Sequence, residues 1–149
     1  MPPTPSVTIV LVENDPDQAQ LIEHALRRLR FTNDLIIFNT GQEALDDLLA
    51  GPSPSETSPP TPVLLLMNLS LPGLNGYQVL EQLQSDGRSA SIHVILLTQA
   101  AESADMERCR ALGCNSVVTK PVDDAVLVEA IRQAGLFLSV VRMPIESPD

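Results

Sequence analysis

Runs of apolar residues recur along the chain and alternate with segments of helical periodicity. Three of them are VTIVLV over 7–12, VLLLM over 63–67 and IHVILLT over 92–98. A strand that is apolar at nearly every position is typical of a parallel sheet covered on both faces. Two shorter runs, 35–38 and 116–119, have the same character. Five such strands, each followed by a helix, predict an α/β fold with a doubly wound parallel sheet.

The helix boundaries follow from capping residues and from apolar spacing. Asp15 is suited to the N-cap before Pro16, because its carboxylate accepts a free backbone amide and proline has none to offer. Gly113 is suited to end the fourth helix. The predicted helices begin at Pro16 and then cover 41–50, 76–85, 102–112 and the chain from 122 onward.

Length and composition favour a single domain. A chain of 149 residues that is 44% hydrophobic can bury one core of ordinary size. We expect the core of the domain to span about 7–133, followed by a C-terminal extension over about 134–149. Within the core, the segment 51–62 carries five prolines and predicts a surface loop, since proline supports neither a helix nor an inner strand.

The charge of the chain limits its partners. A formal net charge of −10 opposes binding to nucleic acid or to an anionic membrane surface. No apolar run approaches the length of a membrane span, and the first residues lack the pattern of a signal peptide. We therefore expect a cytoplasmic protein with no nucleic-acid or membrane partner. In that compartment Cys109 and Cys114 are expected to be reduced thiols with a structural role.

Polar residues stand where the predicted strands end. Glu13 and Asn14 follow the first strand, Asn68 follows the third, Thr98 closes the fourth and Lys120 follows the fifth. In open parallel sheets, binding and catalysis take place outside the carboxyl ends of the strands. The sequence therefore predicts one pocket that contains an acid, two amides, a hydroxyl and an amine.

With these residues, the chain resembles the receiver domain of bacterial response regulators, a CheY-like module with a flavodoxin-like (βα)5 fold. The resemblance covers roughly 7–141. The stretches that carry it are LVENDP, LLLMNLSLPGLNGYQVL, VILLTQAA and VVTKPVD. It implies a role in two-component, phosphorelay signal transduction rather than in enzymatic catalysis.

The resemblance also assigns a role to each strand-end residue. Glu13 and Asn14 take the positions of the acidic pair that holds Mg²⁺, and the backbone carbonyl of Ser70 takes that of a further metal ligand. Asn68 stands at the position of the phosphoacceptor aspartate. The conserved hydroxyl and the phosphate-pairing lysine fall on the remaining two residues, Thr98 and Lys120. The family's cis peptide bond would precede Pro121.

Three positions depart from the family pattern, and they weaken the expected chemistry. Asn14 and Asn68 are amides where the family has carboxylates, and a neutral amide is a poor nucleophile for phosphoryl transfer. Mg²⁺ prefers carboxylate oxygens, so we expect no cofactor beyond weakly bound Mg²⁺. Asn68 is expected to bond with Lys120, Thr98 or the backbone. Val117 replaces the family's aromatic switch residue.

These departures predict a pseudo-receiver that acts through protein–protein contact. The alternative is a phosphorelay receiver for a phytochrome-type histidine kinase, whose acceptor aspartate has been mutated in this chain. The replacement is either a natural one or an engineered one. A third interpretation, an unrelated α/β enzyme, lacks support because the chain has no P-loop, no G-x-G-x-x-G and no nucleophile elbow.

The C-terminal stretch LFLSVV over 136–141 is apolar on every side, so it needs a partner surface. The ending LFLSVVRMP resembles that of receiver-only regulators paired with bacterial and cyanobacterial phytochromes. This resemblance implies a sensor histidine kinase as partner, with a phytochrome as the candidate, and no output domain. It also implies a symmetric homodimer through the final helix and extension. The other interpretation is that the segment folds back on its own domain.

Overall fold

Five strands and five helices alternate along the chain. The computed structural model describes residues 7–50, 62–87, 92–99, 103–114, 116–120 and 122–133. The elements are β1 (Thr8–Val12), α1 (Pro16–Arg28), β2 (Leu35–Phe38), α2 (Gly41–Leu48), β3 (Val63–Asn68), α3 (Gly76–Asp86), β4 (Ile92–Thr98), α4 (Ser103–Ala111), β5 (Ser116–Thr119) and α5 (Asp124–Gln133).

The strands form one sheet in the order β2-β1-β3-β4-β5, and every neighbouring pair is parallel. β3 lies at the centre, where Leu65 is in register with Val10 on one side and Val94 on the other. This arrangement confirms the predicted flavodoxin-like α/β fold.

Both faces of the sheet are buried, which explains why its strands are apolar throughout. On β3, Leu64 and Leu66 belong to the core beneath α1 and α5, whereas Leu65 and Met67 belong to the core beneath α2, α3 and α4. All four side chains are 0% exposed. Burial of one such side chain contributes about 1.5–3 kcal/mol, so the two cores together hold the helices against the sheet.

The predicted bounds of β2, β4 and β5 agree with the structure, and the helix bounds differ by a few residues at most. Asp15 is the N-cap of α1, and its carboxylate accepts from the amide of Asp17 at 3.0 Å. The last helix begins at Asp124 rather than at Val122. The carbonyl of Asp123 accepts the amide of Leu127 at 2.8 Å, which places the first helical hydrogen bond there.

An ion pair joins α1 to α5 at the surface. The guanidinium of Arg28 donates to both carboxylate oxygens of Asp124, at 3.0 and 2.9 Å. The hydrogen bond from Arg28 lowers the pKa of Asp124 below its usual value. Because both side chains are solvent-exposed, this pair fixes the geometry of the two helix ends more than it stabilises the fold.

Cys109 and Cys114 form a disulfide, so the prediction of two reduced thiols was wrong. The cause lies in the end of α4. Gly113 adopts a left-handed φ of 86°, and the amide of Cys114 donates back to the carbonyl of Cys109 at 2.9 Å. This turn brings the two Cα atoms to 5.0 Å, within the normal span of a disulfide.

Several predictions concern residues outside the described part of the chain. They are the cis peptide bond before Pro121, most of the proline-rich segment 51–62 and the C-terminal extension 134–149. Within the described part, none of the helices combines the length and apolar character needed to cross a membrane.

The packing of α2 on α3 leads to a first prediction. A Cβ atom at Gly41 would lie 2.7 Å from Cγ2 of Val79 and 2.9 Å from the carbonyl oxygen of Leu74. Because a backbone oxygen cannot move aside cheaply, we expect Gly41→Ala to lower the free energy of unfolding by about 1–3 kcal/mol. Urea denaturation measures the difference.

The matched control is Gln42→Ala, at the next residue of the same helix, where the side chain is exposed. Its effect should stay within about 0.5 kcal/mol. Equal stabilities for the two variants would show that α2 can shift away from α3 without loss.

Candidate functional site

The strand-end residues converge on one cavity at the carboxyl edge of the sheet. Its volume is about 300 Å³. Its lining includes all six residues predicted from the sequence, namely Glu13, Asn14, Asn68, Ser70, Thr98 and Lys120. Asp15, Gln18 and Gln99 also line it; Asp15 was predicted as the N-cap of the first helix and the two glutamines were not predicted. Gln99 directly follows Thr98, and Gln18 lies in the first turn of α1, so their positions beside the strand ends were the available signals.

Two of these side chains are buried because they extend central strands. Glu13 is 2% exposed and Asn68 is 8% exposed. The amide of Glu13 donates to the carbonyl of Phe38 at 3.0 Å, which continues the pairing of β1 with β2 by one residue. Asn68 is the last residue of β3. Their polar groups therefore lie at the floor of the cavity, largely shielded from water.

A buried ion pair crosses the cavity. Nζ of Lys120 donates to Oε1 of Glu13 at 2.6 Å, and the two side chains are 8% and 1% exposed. Oε2 of Glu13 accepts from the amide of Asp15 at 3.2 Å and from Asn68 at 3.3 Å. A buried carboxylate is tolerated when its charge is paired and its other lone pairs are satisfied, and both conditions hold here.

The amide nitrogen of Asn68 is surrounded by acceptors. Nδ2 lies 3.0 Å from the carbonyl oxygen of Ser70, 3.3 Å from Oε2 of Glu13 and 3.4 Å from Oδ1 of Asn14. The nitrogen, and not the oxygen, must face these three atoms, since an amide oxygen there would meet only other acceptors. The NH₂ group thus serves as the donor at the centre of three oxygen atoms.

The expected partners of Asn68 were partly correct. It bonds to the backbone at Ser70 as predicted, but the amine of Lys120 pairs with Glu13 instead. Thr98, another expected partner, bonds to Lys120 through its backbone, since its carbonyl oxygen accepts the amide of Lys120 at 2.7 Å. A carboxylate is a stronger acceptor for an ammonium group than an amide oxygen is, which explains why Lys120 pairs with Glu13 and not with Asn68.

Val117, at the position of the family's aromatic switch, is half-buried and packs against the core beneath α2, α3 and α4.

Among the described residues, no group of three or more His, Cys, Asp or Glu side chains is placed to hold a metal ion.

The chain belongs to the response regulator receiver family. The family's profile, described as the response regulator receiver domain, matches residues 9–132. That span contains all five strands apart from Thr8, and it includes every side chain that lines the cavity.

Two solved structures and one curated protein illustrate what this chain is similar to. The bacteriophytochrome response regulator RtBRR is 35% identical, with a TM-score of 0.74 over 87% of this chain and 78% of its own. The bacteriophytochrome response regulator AtBRR is 32% identical, with a TM-score of 0.73 over 91% of this chain and 96% of its own. The probable methanogenesis regulatory protein FilR2 of Methanothrix harundinacea is 32% identical over 76% of this chain and 72% of its own length.

The buried ion pair leads to a second prediction. Lys120→Met leaves the carboxylate of Glu13 buried without its cation, and we expect a loss of about 3 kcal/mol in the free energy of unfolding. The value lies at the low end of the range for broken buried pairs because two amide donors still reach Oε2.

The double variant Glu13→Gln/Lys120→Met removes both charges and should recover most of that loss. Urea denaturation of the wild type, the single variants and the double variant gives the coupling energy. A coupling near zero would mean that the ion pair does not form in solution.

Proposed function

We propose that this receiver does not accept phosphate at position 68 and transmits its signal through protein–protein contact, without catalytic activity of its own, in the cytoplasm. The observation that carries the proposal is the engagement of the Asn68 amide with Glu13, Asn14 and Ser70. The two N–H bonds of this amide face three oxygen atoms, so the group is held in place as a structural element of the cavity floor.

The chemistry of the amide supports the same conclusion. Attack on a phosphoryl group needs an electron-rich oxygen, and receivers supply an anionic carboxylate. The amide of Asn68 carries no charge, and its NH₂ group faces the oxygen atoms at the floor of the cavity. Lys120, which would pair with a phosphoryl group, is already neutralised by Glu13 at 2.6 Å. Neither the nucleophile nor the counter-charge is therefore available.

The donor set also fits a resident Mg²⁺ ion poorly. Mg²⁺ asks for near-octahedral oxygen ligands that include carboxylates. Here Glu13 is the one carboxylate in the Asn68 network, and its charge is shared with Lys120. The carboxylate of Asp15, which also lines the cavity, caps α1 by accepting the amide of Asp17. The space among the three oxygen atoms is taken by Nδ2 of Asn68. We infer that Mg²⁺ binds weakly at best.

The partner that we propose is a sensor histidine kinase of the bacteriophytochrome type. Support comes from two solved structures whose names call them bacteriophytochrome response regulators, and each is more than 30% identical to this chain.

The second candidate is a phosphorelay receiver whose acceptor aspartate has been replaced. The observation in its favour is that Thr98 and Lys120 both line the cavity beside Asn68. Among the residues that line the cavity, the positions that depart from the family pattern are the two acidic ones, so restoring them is a direct test.

The third prediction concerns phosphorylation. The chain and its Asn68→Asp variant are incubated with a small-molecule phosphodonor and Mg²⁺, and intact mass is measured. We expect no change for this chain, because it lacks the nucleophile, and a gain of about 80 Da for the variant if the second candidate is correct. If the variant gains no phosphate either, the second candidate is excluded and the proposed function through protein–protein contact is retained.

Asn14→Asp is the matched control, since it adds one carboxylate without restoring the acceptor. It should gain no phosphate, whereas Asn14→Asp/Asn68→Asp should gain the most because it restores both acidic positions. A phosphoryl adduct on the unaltered chain would contradict the proposed function.

We also infer a homodimer formed through the C-terminal helix and extension. Val126 on α5 is 46% exposed, and the following sequence LFLSVV has no polar face to present to water. A symmetric contact between two copies would cover both.

The fourth prediction tests this assembly. Sedimentation velocity should give a dimer for the wild type, and Phe137→Asp should shift it to monomer because a charge is costly in an apolar interface. Ser147→Asp is the control, since it adds the same charge at a polar position of the same segment. A monomeric wild type at high micromolar concentration would contradict the inference.

A further inference from the structure

The disulfide between Cys109 and Cys114 lies at the junction of α4 and β5. Cys109 is in the last turns of α4, and Cys114 shortly precedes β5. The cavity residue Lys120 follows the other end of β5, so the bridge and the cavity stand at opposite ends of one strand. The chemistry of the bridge is therefore independent of the function proposed above.

The helix cap holds the two cysteines together without help from the bond. The amide of Cys114 donates to the carbonyl of Cys109 at 2.9 Å, and the amide of Gly113 donates to Arg110 at 3.1 Å. With Gly113 at a φ of 86°, these two bonds make a Schellman cap. In this cap the third-last helical residue normally packs against the second residue beyond the C-cap, and here both are cysteines. The sulfurs remain neighbours after reduction.

Stabilisation of the fold is a poor reason for such a bridge. The two cysteines are five residues apart, and a disulfide constrains the unfolded chain less as the ring that it closes becomes shorter. The hydrogen bonds of the cap already close the same ring. A reversible role accounts better for the pair.

The surroundings of Cys114 suit both redox states. Its Sγ lies 3.0 Å from the carbonyl oxygen of Ser116. A disulfide sulfur has no hydrogen to donate, but a thiol at the same place would donate to that oxygen. Reduction therefore creates a hydrogen bond where the covalent bond is lost.

The two sulfurs also differ in access. Cys109 is 2% exposed, whereas Cys114 is half-buried. An attacking thiolate must approach the sulfur to which it bonds, so reduction has to begin at Cys114 and displaces the thiolate of Cys109.

We propose that Cys109 and Cys114 form a dithiol–disulfide switch, which exchanges with low-molecular-weight thiols and disulfides and sets the rigidity of the α4–β5 junction. In the oxidised state a covalent bond supports the Schellman cap. In the reduced state the hydrogen bonds of the cap act alone, and the end of α4 opens more often.

The exchange balances without any further reactant. For oxidation, the thiolate of Cys114 attacks a small-molecule disulfide, forms a mixed disulfide and releases one small thiolate. The thiolate of Cys109 then attacks Sγ of Cys114, closes the bridge and releases the second small thiolate. The two protons lost by the protein thiols end on the two released thiols. Reduction follows the same steps in reverse.

The fifth prediction concerns this equilibrium. The full chain is equilibrated in glutathione buffers that range from fully reduced to fully oxidised, quenched in acid, alkylated and weighed. We expect a reversible passage from two alkyl adducts to none while the far-ultraviolet circular dichroism stays constant. A bridge that resists excess reduced glutathione in the folded protein, or that never forms in excess oxidised glutathione, would overturn the proposal.

Hydrogen exchange reports the structural effect. The amides of Leu112, Gly113 and Cys114, which donate within the cap, should exchange several-fold faster in the reduced chain. Amides of β3 serve as the internal control and should not change. Equal exchange at the cap in both states would show that the bond does not set its rigidity.

Single substitutions test the order of attack. Cys109→Ser leaves the accessible thiol and should take up glutathione readily, whereas Cys114→Ser leaves the buried thiol and should take it up several-fold more slowly. In Cys114→Ser, exchange at the cap should match that of the reduced chain in every buffer. The reverse order of uptake would contradict the assigned roles of the two sulfurs.

Discussion

The structure depends on one constraint, which is that a parallel sheet must be covered on both faces. The connections between parallel strands are helices, and these helices bury the side chains above and below the sheet. Leu64 to Met67 on β3 show the result, since neighbouring residues enter opposite cores and all are fully buried. Polar side chains are thereby excluded from the middle of the central strand β3. They collect at the strand ends, where Glu13, Asn68 and Lys120 meet.

Amides at the cavity floor change its electrostatics. Two like charges about 4 Å apart repel by roughly 4 kcal/mol at an effective dielectric near 20, so a set of facing carboxylates would need a cation to hold it together. Asn68 carries no charge, and its hydrogen bonds to Glu13, Asn14 and Ser70 hold these groups together without a cation. Together with the Glu13–Lys120 pair, these bonds connect the ends of β1, β3 and β5. The floor is internally satisfied without a metal ion.

The sequence predicted the elements and the membership of the cavity better than it predicted the contacts. An apolar run extends over several residues, so a strand can be located even when its ends are placed wrongly by one residue. Because the carboxyl ends of parallel strands lie at the same edge of the sheet, the sequence alone predicted that Glu13, Thr98 and Lys120 lie close together. Which of several adjacent polar atoms pair is decided by differences of a few tenths of an ångström. The partner of Lys120 and the facing of the Asn68 amide therefore emerged only from the structure. The disulfide did leave a signal, because Gly113 marked the helix end between cysteines at the two positions that a Schellman cap brings into contact.

The pairing of β1 with β3 has a consequence for the kinetics of folding. Thr8 is in register with Val63, although α1, β2, α2 and the proline-rich segment lie between them along the chain. The chain must lose the entropy of closing this long loop before the contacts between β1 and β3 can stabilise it. Such non-local pairing slows folding. Each doubling of a flexible loop, however, adds only about 0.6 kcal/mol to the closure cost. The rate of folding therefore depends on how readily these two distant strands meet, while the length of the segment between them can vary at small thermodynamic cost.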